Sequence, residues 1–332
     1  MFLRRFVVLG LMLTSAFVLV AQTSNTEERS YVRMFRFSLD GKSVVSYTFE
    51  GALLSWDVAS RKLQRSQQAH ADYVGVGDLA FDPQGNLLSI VSAERGIRFM
   101  DVARNQEVKF LEIPDFRYFG KVAFSPDGKT LAFAENSGDV IKLWDVTTGK
   151  EKASIKRPDS HDRLDTMLFS NDGAMLAGLG TSITLWSAAT GKQSGLIEID
   201  AGLSRMAFTP DGKKICVSGF DNKQPSFIKC FGAVSGREVL SVASDPSLPF
   251  AFSPDGRMLA FVRHGQGIIL VSATTGKEIA KLPISVGQNS LTQMSFSPDG
   301  RLLGVAAREG LLLVDPAARK ELFILAQPLA GR

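Results

Sequence analysis

Apolar positions along this chain fall in short runs separated by glycine-containing turns, and no segment keeps a helical periodicity. Around residue 130, the stretches "KVAFS", "TLAFA", "VIKLWDV" and "KASIK" each have the pattern of a short strand. The sequences "PDG" and "TGK" between them are typical of tight turns. The pattern predicts a unit of four short antiparallel strands.

This unit is repeated. The sequence "FSPDG" occurs at Phe124, Phe252 and Phe296, and drifted copies fill the intervals between and before them. Equivalent turn glycines recur about every 43 residues, at Gly41, Gly85, Gly128, Gly173, Gly212, Gly256 and Gly300. In the third copy Pro126 suits the second position of a type I turn, and we expect Gly128 to be left-handed.

Seven units of four strands predict an all-β fold, a seven-bladed β-propeller with four-stranded antiparallel blades. We assign residues 31–327 to a single propeller domain of seven repeats. Turns of the "PDG" and "TGK" type all fall on one face of such a ring, called here the turn face. The opposite loop face carries the connections between blades and those between second and third strands.

The first residues predict export. Arg4 and Arg5 precede an apolar run over residues 6–21, which has the length of a secretory signal core. We interpret residues 1–21 as a signal peptide cleaved after Ala21, or as an N-terminal anchor if cleavage does not occur. Either outcome places the propeller outside the cytoplasm, in the periplasm or secreted.

Charge excludes one class of partner. The chain has 38 basic and 34 acidic residues, a formal net charge of +4, with no basic run. So small a surplus gives no field for gripping phosphates, and we expect no nucleic-acid binding. Contact with a membrane is expected only through an uncleaved N-terminal segment.

The stretch "IKLWDVTTGK" at residues 141–150 resembles the third strand and following turn of the WD-repeat propeller family. "LLSWDV" at residues 53–58 and "ITLWSAATGK" at residues 183–192 resemble it less fully. In the other four repeats a different residue stands where the tryptophan would be. These residues are Met100, Phe231, Val271 and Val314. The "FSPDG" half is also similar to repeats of bacterial extracytoplasmic propellers such as that of the Tol system.

Two departures from the family pattern affect stability. Family blades often join a histidine, a serine or threonine, an aspartate and the tryptophan in one hydrogen-bonded set. His70 and His161 lie in the matching loops, but no unit has the whole set, so we expect packing to contribute more. The last blade can take its outer strand from "KELFIL" at residues 320–325. We therefore expect blades one and seven to meet by packing alone.

Candidate chemistry is sparse. The glycine–lysine sequences at Gly41 and Gly128 lack the upstream glycine of a phosphate loop, and the three histidines fall in separate units. We predict no catalytic residues, no metal and no cofactor. The repeat places seven residues at the mouth of the central channel: Met34, Asp78, Lys121, Thr166, Arg205, Pro249 and Gln293. One carboxylate among two cations is a poor site for a hard metal ion.

The two cysteines, Cys216 and Cys230, fall in the second and third strands of one blade. If that hairpin is symmetric about Lys223, they are direct cross-strand neighbours within disulfide range. An oxidising compartment favours the bond. Two buried thiols acting as small apolar residues are the alternative.

The resemblance implies a non-catalytic scaffold that binds a protein or peptide. The alternatives are a hydrolase or lactonase using the central channel, and an accessory subunit of an envelope complex. Variable loops on a rigid scaffold are the usual place for recognition, and tyrosine and arginine dominate interface hot spots. We therefore expect a docking patch on the loop face, formed by Tyr73, Arg95, Phe116, Arg117, Tyr118, His161 and Arg163.

Overall fold

Seven four-stranded antiparallel sheets make up the computed structural model of this protein. It describes residues 31–68, 76–92, 96–113, 120–135, 139–157, 164–221, 224–245, 248–284, 287 and 291–325. In each sheet the four strands are consecutive in sequence. The predicted all-β seven-bladed propeller is confirmed. Across the described residues no helix is present that has the length and apolar character to cross a membrane.

The strands follow one another from the inner to the outer edge of each blade. Blades one and two comprise β1 (Val32–Phe37), β2 (Ser43–Thr48), β3 (Ala52–Asp57), β4 (Leu63–Gln68), β5 (Val76–Phe81), β6 (Leu87–Ser92), β7 (Gly96–Asp101) and β8 (Gln106–Glu112). Blades three and four comprise β9 (Gly120–Phe124), β10 (Thr130–Glu135), β11 (Val140–Asp145), β12 (Glu151–Lys156), β13 (Thr166–Phe169), β14 (Met175–Leu179), β15 (Ser182–Ser187) and β16 (Gln193–Glu198).

The remaining three blades have the same plan. They comprise β17 (Gly202–Phe208), β18 (Lys214–Asp221), β19 (Gln224–Gly232), β20 (Glu238–Ala243), β21 (Phe250–Phe252), β22 (Met258–Arg263), β23 (Gly267–Ser272), β24 (Glu278–Leu282), β25 (Gln293–Phe296), β26 (Leu303–Ala307), β27 (Gly310–Asp315) and β28 (Lys320–Leu325). The core consists of apolar clusters shared between neighbouring blades, so each blade buries its faces against the next.

The turn between the first and second strands is held by a small hydrogen-bond network. In the sixth blade the Ser253 hydroxyl donates to Asp255 Oδ1 at 2.6 Å and accepts from the Met258 backbone N–H at 2.9 Å. Gly256 has φ +70°, the left-handed value that favours glycine. All seven turn glycines have φ between +68° and +75°, as predicted.

The same hydroxyl-to-carboxylate bond occurs in six blades. The pairs are Ser38 with Asp40, Ser125 with Asp127, Ser170 with Asp172, Thr209 with Asp211, Ser253 with Asp255 and Ser297 with Asp299. In blade two Asp82 takes the hydroxyl position, and its Oδ1 accepts from the backbone N–H groups of Asn86 and Leu87. The stabilisation expected from packing is therefore supplemented by a polar network specific to the turns.

The hydrogen-bonded set of the family is not formed at two of the three tryptophans, and His70 and His161 lie outside the described residues. In the part of the chain that the structure describes, the indole N–H groups of Trp144 and Trp186 are buried and make no hydrogen bond. Both rings pack between blades in apolar clusters instead. The tryptophans therefore stabilise this ring by burial of their apolar surface.

The blade one to blade seven junction, called here the seam, closes the ring. Among the described residues the last blade consists of β25 to β28, so its outer strand, β28, comes from the C-terminal end of the chain. The expectation of packing alone is wrong, because two hydrogen bonds also cross the seam. Gln293 Oε1 accepts from the Phe35 backbone N–H at 2.7 Å, and the Thr292 hydroxyl donates to the Val32 carbonyl at 2.7 Å. A buried backbone donor at the junction needs an acceptor, and the Gln293 side chain supplies one.

Blade five contains the longest hairpin, formed by β18 and β19. Its register places Cys216 directly opposite Cys230. The structure joins the two in a disulfide, with 3.9 Å between their α-carbons. Both residues are buried in the core shared with the neighbouring blade.

Candidate functional site

On the turn face neighbouring turns contact one another, and cavities of about 320 and 360 Å³ lie between some of them. A Cβ added at Gly300 would lie 3.5 Å from Pro254 Cδ of the preceding blade, and one at Gly173 would lie 3.5 Å from Pro126 Cδ. Where asparagine replaces the proline, at Asn171, its Nδ2 donates to the Pro210 carbonyl of the next turn at 3.1 Å. The repeated turn sequence is therefore explained by the assembly of the ring itself.

The predicted docking patch belongs to the loop face, and its members lie outside the described residues. They are Tyr73, Arg95, Phe116, Arg117, Tyr118, His161 and Arg163. The patch accordingly stays a prediction from the sequence.

One cavity of the loop face does lie among described residues, in the cleft between blades three and four. Its volume is about 480 Å³, a size that accommodates a side chain or small ligand. Trp186, Leu164 and Leu196 supply apolar lining, and Leu196 is 49% exposed. Charged lining comes from the exposed carboxylates Glu198 and Asp200. The lining therefore combines apolar walls with an acidic rim.

Arg157, which directly follows the last strand of blade three, also lines this cavity. Its side chain is buried and has interactions of its own, and its backbone N–H donates to the Asp139 carbonyl at 2.7 Å. The positive charge of Arg157 and the two negative charges of Glu198 and Asp200 give the lining a net charge of −1. The repeat pattern of the sequence does not mark this cleft.

Four of the residues predicted for the mouth of the central channel line one cavity, namely Thr166, Arg205, Pro249 and Gln293. Several of the seven join blades. Asp78 Oδ2 accepts from the Val122 backbone N–H of the next blade at 3.1 Å. Arg205 crosses the channel from blade five to blade seven, where its Nη1 donates to the Thr292 carbonyl at 2.9 Å. Gln293, which accepts the hydrogen bond from the Phe35 backbone N–H, joins blades in the same way. Asp78, Arg205 and Gln293 therefore have a structural role.

Burial shifts the pKa values of two charged residues predicted for the channel. Burial raises the pKa of Asp78, and nearby Lys121 and Arg33 oppose that shift. Burial lowers the pKa of Arg205. A cavity of about 560 Å³ adjoins Arg205, lined also by Thr166 and Gln293. Within the described ranges no group of three metal-ligating side chains comes together.

Comparison with known proteins gives the same architecture. No protein-family model matches the chain. WD repeat-containing protein slp1 of Schizosaccharomyces pombe is 23% identical over 273 residues, covering 80% of this chain and 54% of that protein. WD repeat-containing protein VIP3 of Arabidopsis thaliana is 33% identical over 107 residues, covering 32% of this chain and 32% of that protein. The chain thus spans only about half or a third of these relatives.

Among solved structures, Kuenenia stuttgartiensis hydrazine synthase superposes with a TM-score of 0.69 and 19% identity, over 90% of this chain and 99% of that one. At this identity the likeness shows the fold alone. The curated matches to WD repeat-containing proteins and the seven blades together confirm the resemblance predicted from the sequence.

Proposed function

We propose that this chain, a seven-bladed propeller related in sequence to WD repeat-containing proteins, is a non-catalytic scaffold that binds a protein or peptide outside the cytoplasm. Binding takes place on the loop face. WD-repeat propellers generally bind proteins, which supports this class of function over a hydrolase. The extracytoplasmic location rests on the apolar N-terminal run over residues 6–21.

The observation that carries the proposal is the cleft of the loop face between blades three and four, with a volume of about 480 Å³. On the turn face, neighbouring turns contact one another around the ring. On the loop face, the cleft between blades three and four is open and has an exposed leucine, Leu196, beside two carboxylates. A partner that covered this cleft would bury apolar surface and meet the exposed carboxylates of its rim, and these are two usual sources of affinity and specificity.

The test is affinity capture from the native envelope, quantified by mass spectrometry. A loop-face variant, Tyr73→Ala/Arg117→Ala/Tyr118→Ala, should lose partners that the wild type captures, with unchanged melting behaviour. The matched turn-face control is Lys150→Ala/Lys192→Ala/Lys277→Ala, which removes three exposed lysines. This control should capture the same partners as the wild type.

The proposal fails if the loop-face variant still captures every partner, or if only the turn-face variant loses them. An esterase and lactonase panel on the purified protein addresses the hydrolase alternative. Turnover above background that disappears in Arg205→Ala would favour that alternative, because Arg205 lines the channel cavity.

A further inference from the structure

The cleft between blades one and two contains the turn-face cavity of about 320 Å³. Two arginines of blade one, Arg36 and Arg65, line it. Serine hydroxyls and the side-chain amides of Gln64, Gln84 and Asn86 complete its polar lining. Of the described residues that line this cavity, none carries a carboxylate. The lining therefore has a charge of +2, surrounded by groups that donate hydrogen bonds.

The two arginines stand at the ends of one row of residues that crosses blade one. Arg36 on β1 pairs with Val45 on β2, and Val45 pairs with Ser55 on β3. Ser55 in turn pairs with Arg65 on β4. Residues that pair directly across antiparallel strands share one face of the sheet. Three strand spacings of about 4.8 Å separate the two arginines, so their long side chains approach the cavity from opposite ends of the row.

The equivalent row is largely apolar in the other six blades. In place of Arg36 they have alanine, leucine or serine. In place of Ser55 they have phenylalanine, leucine or cysteine. A position that packs apolar surface between the other blades is thus polar and charged between blades one and two.

Blade two has the one other cation in these seven rows, Lys109, at the position of Arg65. Lys109 Nζ donates to the carbonyl oxygens of Val146 and Thr147 in blade three, both at 2.7 Å. The equivalent residues of blade two, 102–103, line the cavity. Arg65, however, makes no hydrogen bond or ion pair with any described residue. The cation that joins two blades at Lys109 is therefore left for a ligand at Arg65.

Arg36 is held in place across the cleft. Its Nε donates to the Pro83 carbonyl of blade two at 3.0 Å, which uses one of the five N–H donors of the guanidinium. Asp82 attracts Arg36 electrostatically, but this carboxylate is buried and its Oδ1 already accepts from two backbone N–H groups. Counting Asp82 with the two arginines still leaves a charge of +1.

The turn of blade two keeps a carboxylate out of this cavity. Its sequence is "DPQG", so Gln84 stands where each of the other six turns has an aspartate. In the cavity of about 360 Å³ between blades five and six, Asp211 and Asp255 are both lining residues, together with Lys214. Two aspartates and one lysine give that lining a charge of −1. The two turn-face cavities therefore have charges of opposite sign.

We propose that the cavity between blades one and two binds a small molecule through a phosphate or carboxylate group, with Arg36 and Arg65 as its charged partners. Guanidinium groups bind such oxyanions through charge-assisted and often bidentate hydrogen bonds. The small net charge of the whole chain does not oppose this, because the two arginines act at contact distance. The site lies on the turn face and goes beyond the proposed loop-face function.

The probes are inorganic phosphate, succinate and succinamide, the uncharged analogue of succinate, at constant ionic strength. Binding is followed by calorimetry and by the backbone amide resonances of Gly85 and Asn86, which line the cavity. We expect at least one of the two anions to bind with a dissociation constant of about 1 mM or tighter and to shift both resonances. Succinamide should not shift them. The absence of a shift with both anions, or an equal shift with succinamide, would overturn the proposal.

A matched pair of variants separates the site from general charge. Arg65→Gln should weaken binding of the anion by about tenfold or more, because it removes a charge-assisted hydrogen bond. Arg104→Gln removes the same charge from an exposed arginine that pairs with Asp101 and does not line the cavity. It should leave the affinity unchanged. Equal effects of the two substitutions would refute the proposal.

A second variant moves a carboxylate without changing the net charge. Asp82→Ser/Gln84→Asp gives blade two the "SPDG" turn of blades three, six and seven, which shows that the ring accommodates this sequence. The carboxylate then lies in the lining, and binding should weaken by about tenfold or more. Undiminished binding by the folded variant would contradict the proposal. If this variant does not fold, the comparison of Arg65→Gln with Arg104→Gln decides, since both arginines are exposed.

Discussion

Closure of the ring depends on a glycine at the seam, and Gly304→Ala tests this. Gly304 lies on β26 of blade seven, and an added Cβ would lie 2.6 Å from Phe35 Cε2 and 2.7 Å from Phe35 Cζ. Carbon atoms pack best at about 3.5–4.0 Å, so the ring would have to move by about 1 Å. Phe35 is only 2% exposed and its backbone N–H is held by Gln293, so it has little freedom to move.

The expected magnitude follows from these contacts. Over-packing of a core typically costs about 1–3 kcal/mol, and replacing glycine by alanine recovers about 0.4–1 kcal/mol through the unfolded chain. We expect Gly304→Ala to lower the free energy of unfolding by about 1–2 kcal/mol. With an unfolding entropy of about 2.1 cal/mol/K per residue over roughly 300 residues, Tm should fall by about 2–3 °C.

The assay is urea denaturation together with differential scanning calorimetry. Gly195→Ala is the matched control, because the atom nearest to the new Cβ would be Leu185 Cδ1 at 3.3 Å, the end of a flexible side chain. It should change stability by less than about 0.5 kcal/mol. Phe35→Leu shortens the obstructing ring, so the Gly304→Ala/Phe35→Leu pair should couple favourably by at least about 0.5 kcal/mol. If Gly304→Ala were as mild as Gly195→Ala, or if no coupling appeared, the account of the seam would be refuted.

Three further predictions concern the disulfide, acid stability and export. A thiol count under denaturing, non-reducing conditions should find no free thiol, and two free thiols would contradict the bond. Reduction of the Cys216–Cys230 bond, which spans 14 residues, should lower the free energy of unfolding by about 3 kcal/mol. The hydrogen bond from the Ser253 hydroxyl lowers the pKa of Asp255 in the folded state. The carboxylate therefore stabilises the fold above its unfolded pKa of about 3.9, and this stabilisation is lost as the pH falls through the lower pKa of the folded state. Ser253→Ala should therefore destabilise by about 1 kcal/mol at pH 7 and by less at pH 2.5 in urea titrations; an equal loss at both pH values would argue against the linkage. Mass spectrometry of the native protein should find a mature N-terminus near Gln22, and a cytoplasmic protein that retains the first residues would contradict export.

The blade itself was predictable from the sequence because its determinants are local. Alternation of apolar positions and the turn glycines specify hairpins without reference to other blades. The strands predicted in the third unit agree with β9 to β12 within one residue at each end. The positive φ of Gly128 was predicted for the same reason, since a tight turn requires that conformation whatever surrounds it.

Features that depend on contact between blades were not predictable in this way. The seam hydrogen bonds join residues that are 258 and 260 positions apart. Nothing in the repeat marks the Gln293 side chain as the acceptor for Phe35. Nor does the repeat mark the cavity between blades three and four. Its lining includes Arg157, which follows blade three, together with residues of blade four, so it depends on how the two blades meet.

The sequence by itself therefore determined the number of blades, the strands within each blade and the conformation of the turns, because these follow from periodicity and local backbone preferences. Only the tertiary structure decided how the ring closes and which cleft stays open. Both depend on the volumes and charges of side chains brought together from different blades, which a local pattern does not specify.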